Sequence, residues 1–251
     1  LEALPAQPPV DPVRRPALQA ARERAAPPGL FRRQPAPAPE ATQRPGTRFL
    51  LPPALHEPLP FRLGSGRGEE GISHFIEHLV FKGTEKFGLG EIAATVEGSG
   101  GELNAYTSFD QTVFYVTISK SYANTGLEVI NEMMGFPKFD SGEIDNEREV
   151  VIEEIKRGQD SPGRQIGQLF FKTAYKKHPY GIPVIGYDKN IRKVSKKTLV
   201  NYFQSRYVPK NMFLVVSGDF EQAEMLKDIK NHFGRFEPFK LRKVSRKKEP
   251  A

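Results

Sequence analysis

His74-Phe75-Ile76-Glu77-His78 sets two histidines four residues apart with a glutamate between them. On an α-helix each residue turns about 100°, so positions i and i+4 differ by roughly 40° and stand one turn apart. Both imidazoles then leave one face and can hold a single cation. Glu77 lies one turn from His74 and beside His78, close enough to contact a water bound to that cation. The pattern H-x-x-E-H is the inverted form of the zinc-protease helix motif. A catalytic zinc site takes three protein ligands and keeps its fourth position for water. A third ligand must therefore come from elsewhere in the chain.

The elements that would position these groups can be read around them. Gly71 and the acidic pair Glu69-Glu70 precede the histidines and suit the positive N-terminal end of a helix. Ile72, Phe75, Ile76 and Leu79 supply apolar faces that would anchor it, and Gly83-Thr84 stops it. A second helix is expected over 142–157, where Ile144, Val150, Val151 and Ile155 give a helical apolar pattern and Ser141 is the expected N-cap. Glu147 and Glu154, seven apart, stack on one face of it. Glu153 and Glu154 both sit between core positions, and spacing alone does not choose which turns inward to a metal.

Four segments together make a more specific pattern. GISHFIEHLVFKGT, SGGELNAYTSFDQTVFYV, NEREVVIEEI and HPYGIPVIG with YVPKNMFLVVSGDF occur in this order between about Gly64 and Phe236. The pattern resembles the pitrilysin, insulinase and mitochondrial-processing-peptidase superfamily of zinc metallopeptidases, over its first domain only. Carried over residue by residue, the resemblance implies that His74, His78 and Glu154 are the metal ligands, binding one Zn2+ per chain. It makes Glu77 the general base and Glu147 a carboxylate that supports a ligand from behind. Asn104 and Ala105 match the strand edge along which relatives bind substrate peptide, consistent with main-chain hydrogen bonding at a sheet edge.

The implied reaction is peptide-bond hydrolysis of extended peptide or unfolded polypeptide, with zinc as Lewis acid and Glu77 as proton carrier. The second nitrogens of His74 and His78 are expected to be held by acceptors. Relatives enclose peptide between two similar halves, so the resemblance also implies a second domain or partner chain that completes the chamber. A non-catalytic peptide-binding or assembly module, or an incomplete inactive fragment, is the alternative. Retention of His74, Glu77, His78 and Glu154 together argues against the module.

Composition sets the domain boundaries. Residues 1–60 hold 15 of the 22 prolines, and no lysine precedes Lys82. Nothing periodic appears there, so a disordered leader of Pro, Ala and Arg is expected. It departs from the family pattern, which places apolar strands before the metal helix. The catalytic domain is expected over 61–238, with a basic tail at 239–251. The net charge of +7 comes with no nucleic-acid motif, so no nucleic-acid partner is expected. No apolar run is long enough for a secretory signal or a membrane span. Cytoplasmic placement is expected, with organelle import of the Arg-rich N-terminus as the alternative. Without cysteine, disulfides and thiol chemistry are excluded.

The fold class expected is α+β, with helices on one face of a mainly antiparallel sheet. Helices are expected near 70–82, 90–96, 122–135, 141–158, 162–176, 195–205 and 221–233. Strands are expected near 102–107 and 111–119, with a short buried strand in NMFLVVSGDF ended by Gly218. His178, His232 and the Met133-Met134 pair read as structural.

Overall fold

Two glycines decide where the first helix begins. Gly71 has φ +93°, and a Cβ there would lie 2.5 Å from the Ile185 carbonyl oxygen and 2.9 Å from the Gly186 Cα. Gly186, at φ +78°, faces it in the same way, with a Cβ that would lie 2.4 Å from the Glu70 carbonyl oxygen. Two backbones thus cross at a distance that only glycine permits. From this crossing helix α1 runs over Ile72–Leu79 and buries Ile72, Phe75, Ile76 and Leu79 almost completely.

The computed structural model describes residues 68–236. The expected leader and the basic tail lie outside them. After α1, helix α2 spans Glu91–Gly98 and buries Ile92 and Val96, one turn apart on one face. Strands β1 (Glu102–Thr107) and β2 (Thr112–Thr117) pair antiparallel from Glu102↔Thr117 to Thr107↔Thr112. Helices α3 (Ala123–Gly135), α4 (Ser141–Gln159), α5 (Pro162–Ala174), α6 (Asp188–Lys193), α7 (Lys196–Arg206) and α8 (Gln222–Phe233) follow. Helix α1 packs against α4, α7 and both strands, α3 packs against β2 and α8, and α4 carries α5 and α6. Leu103, Phe114 and Val116 lean from the sheet onto the helical core. The architecture is α+β, mostly helical, with a two-stranded antiparallel sheet among the described residues. None of the described helices is long and apolar enough to cross a membrane.

Four local expectations are corrected. The N-cap of α4 is Asp140, whose carboxylate accepts from the Gly142 and Glu143 amides at 2.8 and 3.2 Å, while Ser141 is already helical. Val150 faces outward at 43% exposure, and Ile152 takes the core position beside Val151. Helix α6 occupies a stretch where no helix is expected, because Ile191 alone of its six residues is buried and so short a helix leaves no apolar period. The segment Met212–Gly218 is not a strand, and Phe213, Leu214 and Val215 stand exposed. A strand needs a partner for its amides and carbonyls, and among the described residues no strand pairs with this segment.

Gly71→Ala should test the crossing. The added methyl meets backbone rather than a movable side chain and sits at positive φ, so a loss of at least about 2 kcal/mol is expected. Denaturant unfolding with an unchanged m-value and a lower midpoint would register it.

Candidate metal centre

Helix α1 presents His74 and His78 as expected from their spacing, with ring centroids 4.8 Å apart and planes at 62°. Helix α4 crosses behind them and delivers Glu154, whose Oε2 lies 3.6 Å from His74 Nε2 and 3.7 Å from His78 Nε2. One donor atom from each of the three residues lies within 4.8 Å of the others. Glu153, left open by the sequence, points to solvent and pairs with Lys156 at 2.6 Å. The helical turn separates the two neighbours: one faces α1 and the other faces water.

The donor set suits zinc. Bonds of about 2.1 Å at tetrahedral angles place neighbouring donors about 3.4 Å apart, close to the 3.6 and 3.7 Å found here. Burial, reinforced by the nearby charges of His78 and Arg164, lowers the His74 pKa to about 3. Its imidazole is therefore neutral at pH 7, with a lone pair to give. His78 Nδ1 lies 3.0 Å from Glu147 Oε2. A carboxylate only accepts, so Nδ1 carries the proton and Nε2 faces Glu154 with its lone pair.

Glu147 is itself held. Lys82 Nζ sits 2.5 Å from its other oxygen, and its side chain is 9% exposed. Burial pushes its pKa up, but hydrogen bonds from His78 and Lys82, with their charges, outweigh this and hold it below the ordinary carboxylate range. His74 has no such support: its Nδ1 is buried and has no hydrogen-bond partner among the described residues. The expectation that both second nitrogens are held applies to His78 alone. His74 is the first histidine of the motif, and Glu147, two turns before Glu154 on α4, meets only the second.

Glu77 is nearly buried beside this cluster. Burial raises its pKa, a contact with Thr107 and the charge of His78 oppose the rise, and Glu154 adds to it. Its Oε2 accepts from the Thr107 hydroxyl. Asn104 and Ala105 lie mid-way along β1, opposite Tyr115 and Phe114. The Ala105 amide donates to Asn104 Oδ1 at 2.8 Å, and no strand covers the outer edge of β1 among the described residues. His178 accepts from the Tyr180 amide in a 3-10 turn, and His232 contacts Asn124 at 2.7 Å. Lys82 and Thr107 were absent from the sequence-derived site. Lys82 falls just past the end of α1, where helical spacing gives no direction, whereas strand alternation could have placed Thr107 on the face of Leu103.

Comparison with known proteins adds to this geometry. A family model described as insulinase (peptidase family M16) matches residues 66–188. One described as peptidase M16 inactive domain matches residues 193–251. Together they take in more than two thirds of the chain. The chain belongs to peptidase family M16. An uncharacterized zinc protease of Bacillus subtilis (strain 168) is 32% identical over 203 residues, covering 74% of this chain and 49% of its own. Among solved structures, a protease from Helicobacter pylori shares 33% identity at a TM-score of 0.69, covering 72% of this chain and 44% of that one. The periplasmic protease PqqL from Escherichia coli shares 27% at 0.64, covering 74% and 22%. This M16 chain thus spans about half or less of the length of these relatives.

The buried state of His74 has a consequence for metal-free protein. The unfolded chain takes up a proton near pH 6.5, which the folded chain refuses until about 3. The contribution is whole above about pH 6.5 and is lost progressively as pH falls toward 3. With chelator present, urea midpoints should drop between pH 7.5 and 5, and His74→Gln should flatten that drop. Equal drops in both proteins would assign the effect to other groups.

Proposed function

We propose that this chain is the metal-bearing catalytic domain of a zinc-dependent endopeptidase that hydrolyses extended peptide or unfolded polypeptide. The observation that carries the reading is the convergence of His74, His78 and Glu154, with Glu154 at zinc-like separations from both histidines and Glu77 beside them. His74 and His78 from α1 and Glu154 from α4 would hold the ion, and His78 is oriented through Glu147 and Lys82. When bound, zinc supplies Lewis acidity toward the scissile carbonyl and the attacking water. Glu77 takes that water's proton and delivers it to the leaving amine, a role suited to a carboxylate whose burial raises its pKa.

The outer edge of β1 receives the substrate main chain. The Ala105 amide, now occupied by the Asn104 side chain, becomes a donor to a peptide carbonyl once Asn104 turns aside. Substrate would thus lie as an added strand, which selects extended polypeptide over folded protein. A second domain or partner chain closes the chamber around it, in keeping with the share of the relatives' length that this chain spans.

Two measurements test the reading. Dialysed protein should hold about one zinc per chain; Glu154→Gln should weaken binding at least about tenfold, and Glu153→Gln should leave it unchanged. The reverse order would move the third ligand by one residue. Glu77→Gln should keep its zinc while cleavage of an unstructured peptide, assayed with any completing domain supplied, falls by about 10²–10⁴. Undiminished cleavage would remove Glu77 from the mechanism. A zinc-loaded chain that binds peptide and never cuts it would favour the assembly module.

A further inference from the structure

A glutamate that carries a proton must be aimed as well as present. Its side chain turns about three bonds, and misplacement by about 1 Å can cost on the order of 10²-fold in rate. Among the described residues a single side chain hydrogen-bonds Glu77: Thr107, whose hydroxyl donates to Oε2. That leaves Oε1 to exchange the proton.

The direction of the bond follows from chemistry. An ionised carboxylate only accepts, so Thr107 donates its one proton to Glu77. Thr107 Oγ1 also lies 3.1 Å from Thr112 Oγ1, its partner in the last cross-strand pair of the hairpin. With its own proton committed, Thr107 can only accept here, and Thr112 donates. The hydroxyls therefore form a directed chain, Thr112 to Thr107 to Glu77. Both residues are β-branched and stiff about χ1, which suits them to hold a direction.

The hairpin end that carries them is fastened from outside. The Ser108 amide bonds the Gln111 carbonyl at 2.8 Å and closes the loop. The Phe109 ring packs against Phe171 and Tyr180, with centroids 4.6 and 5.0 Å away. The Tyr180 hydroxyl donates to Asp110 at 2.6 Å. Thr107 thus stands on a clamped element rather than a loose tip.

From these contacts we infer that Thr107, backed by Thr112, is a positioning residue that holds the Glu77 carboxylate in its proton-accepting orientation. The inference rests on the peptidase reading for its kinetic consequence, but the orientation of Glu77 can be read without it.

The experiment compares wild type, Thr107→Val and Thr107→Ser in the full chain loaded with zinc, with any completing domain supplied. Valine keeps the shape and strand preference of threonine and removes the hydroxyl, whereas serine restores it. All three should bind equal zinc. Peptide kcat should fall on the order of 10- to 100-fold in Thr107→Val, with KM changed less than about twofold, and return to within about threefold in Thr107→Ser. Crystal structures of the zinc forms should show Glu77 swung from its place in the valine variant alone. Unchanged kcat with Glu77 in place, or a serine variant as slow as the valine one, overturns the inference. If wild type, with any completing domain supplied, binds zinc but cuts no peptide, the peptidase reading fails by itself, and the Glu77 conformers decide the positioning role. Should Thr107→Val fail to fold, Thr107→Ala against Thr107→Ser gives the same comparison.

Discussion

The crossing of α1 over α4 is the contact on which the rest of the molecule depends. Each helix gives apolar side chains to the core they share: Phe75, Ile76 and Leu79 from one, Val151, Ile152 and Ile155 from the other. Each also brings charge or potential charge to the same region, as His74, Glu77 and His78 face Glu147 and Glu154. An unpaired buried charge is costly, so the helices can approach only if these groups satisfy one another. They do so unequally. Glu147 is held from two sides, by His78 and Lys82, while His74 gives up its proton and keeps an unpartnered nitrogen. The core thus presses together ionisable groups that satisfy one another only in part, which leaves a tension at the contact.

That tension accounts for the surrounding architecture. A site built from two helices keeps its donor spacing only while both axes stay fixed. The α1 end is fixed by the glycine crossing at Gly71 and Gly186. Helix α4 is fixed by the Asp140 cap at its start and by the packing of α5 and α6 along its length. The hairpin then brings Thr107 against Glu77 from a third direction. Helices give the donors their separation, and the sheet gives the carboxylate its aim.

Much of this was legible in the chain. The i, i+4 histidines define a face without any tertiary knowledge, and the apolar positions of α1, α2, α3 and α8 repeat at helical spacing. The choice between Glu153 and Glu154 was not legible from spacing, because adjacent residues on a helix differ by only 100° and either could border the core. Which of the two stands beside the histidines depends on which face of α4 meets α1. The apolar run of Met212–Gly218 suggests a strand, but such a run records affinity for a partner, and among the described residues no strand pairs with it. Lys82 escaped because its role depends on how the chain turns after Leu79. Thr107 escaped although it alternates onto the face of Leu103, because the strand pattern does not say that this face meets α1 at Glu77.

The glycine crossing also orders events in time. Gly71 cannot be clamped until Gly186 exists, and more than a hundred residues separate them. At a synthesis rate of about 5–20 residues per second, the histidine motif leaves the ribosome on the order of ten seconds before its anchor. Glu154 also arrives before that anchor. A nascent chain can therefore display all three candidate donors while α1 has no fixed axis to hold them in register. The geometry that would hold a metal is thereby tied to a late and distant stretch of backbone, so a chain truncated before Gly186 would carry the motif without the frame that aims it.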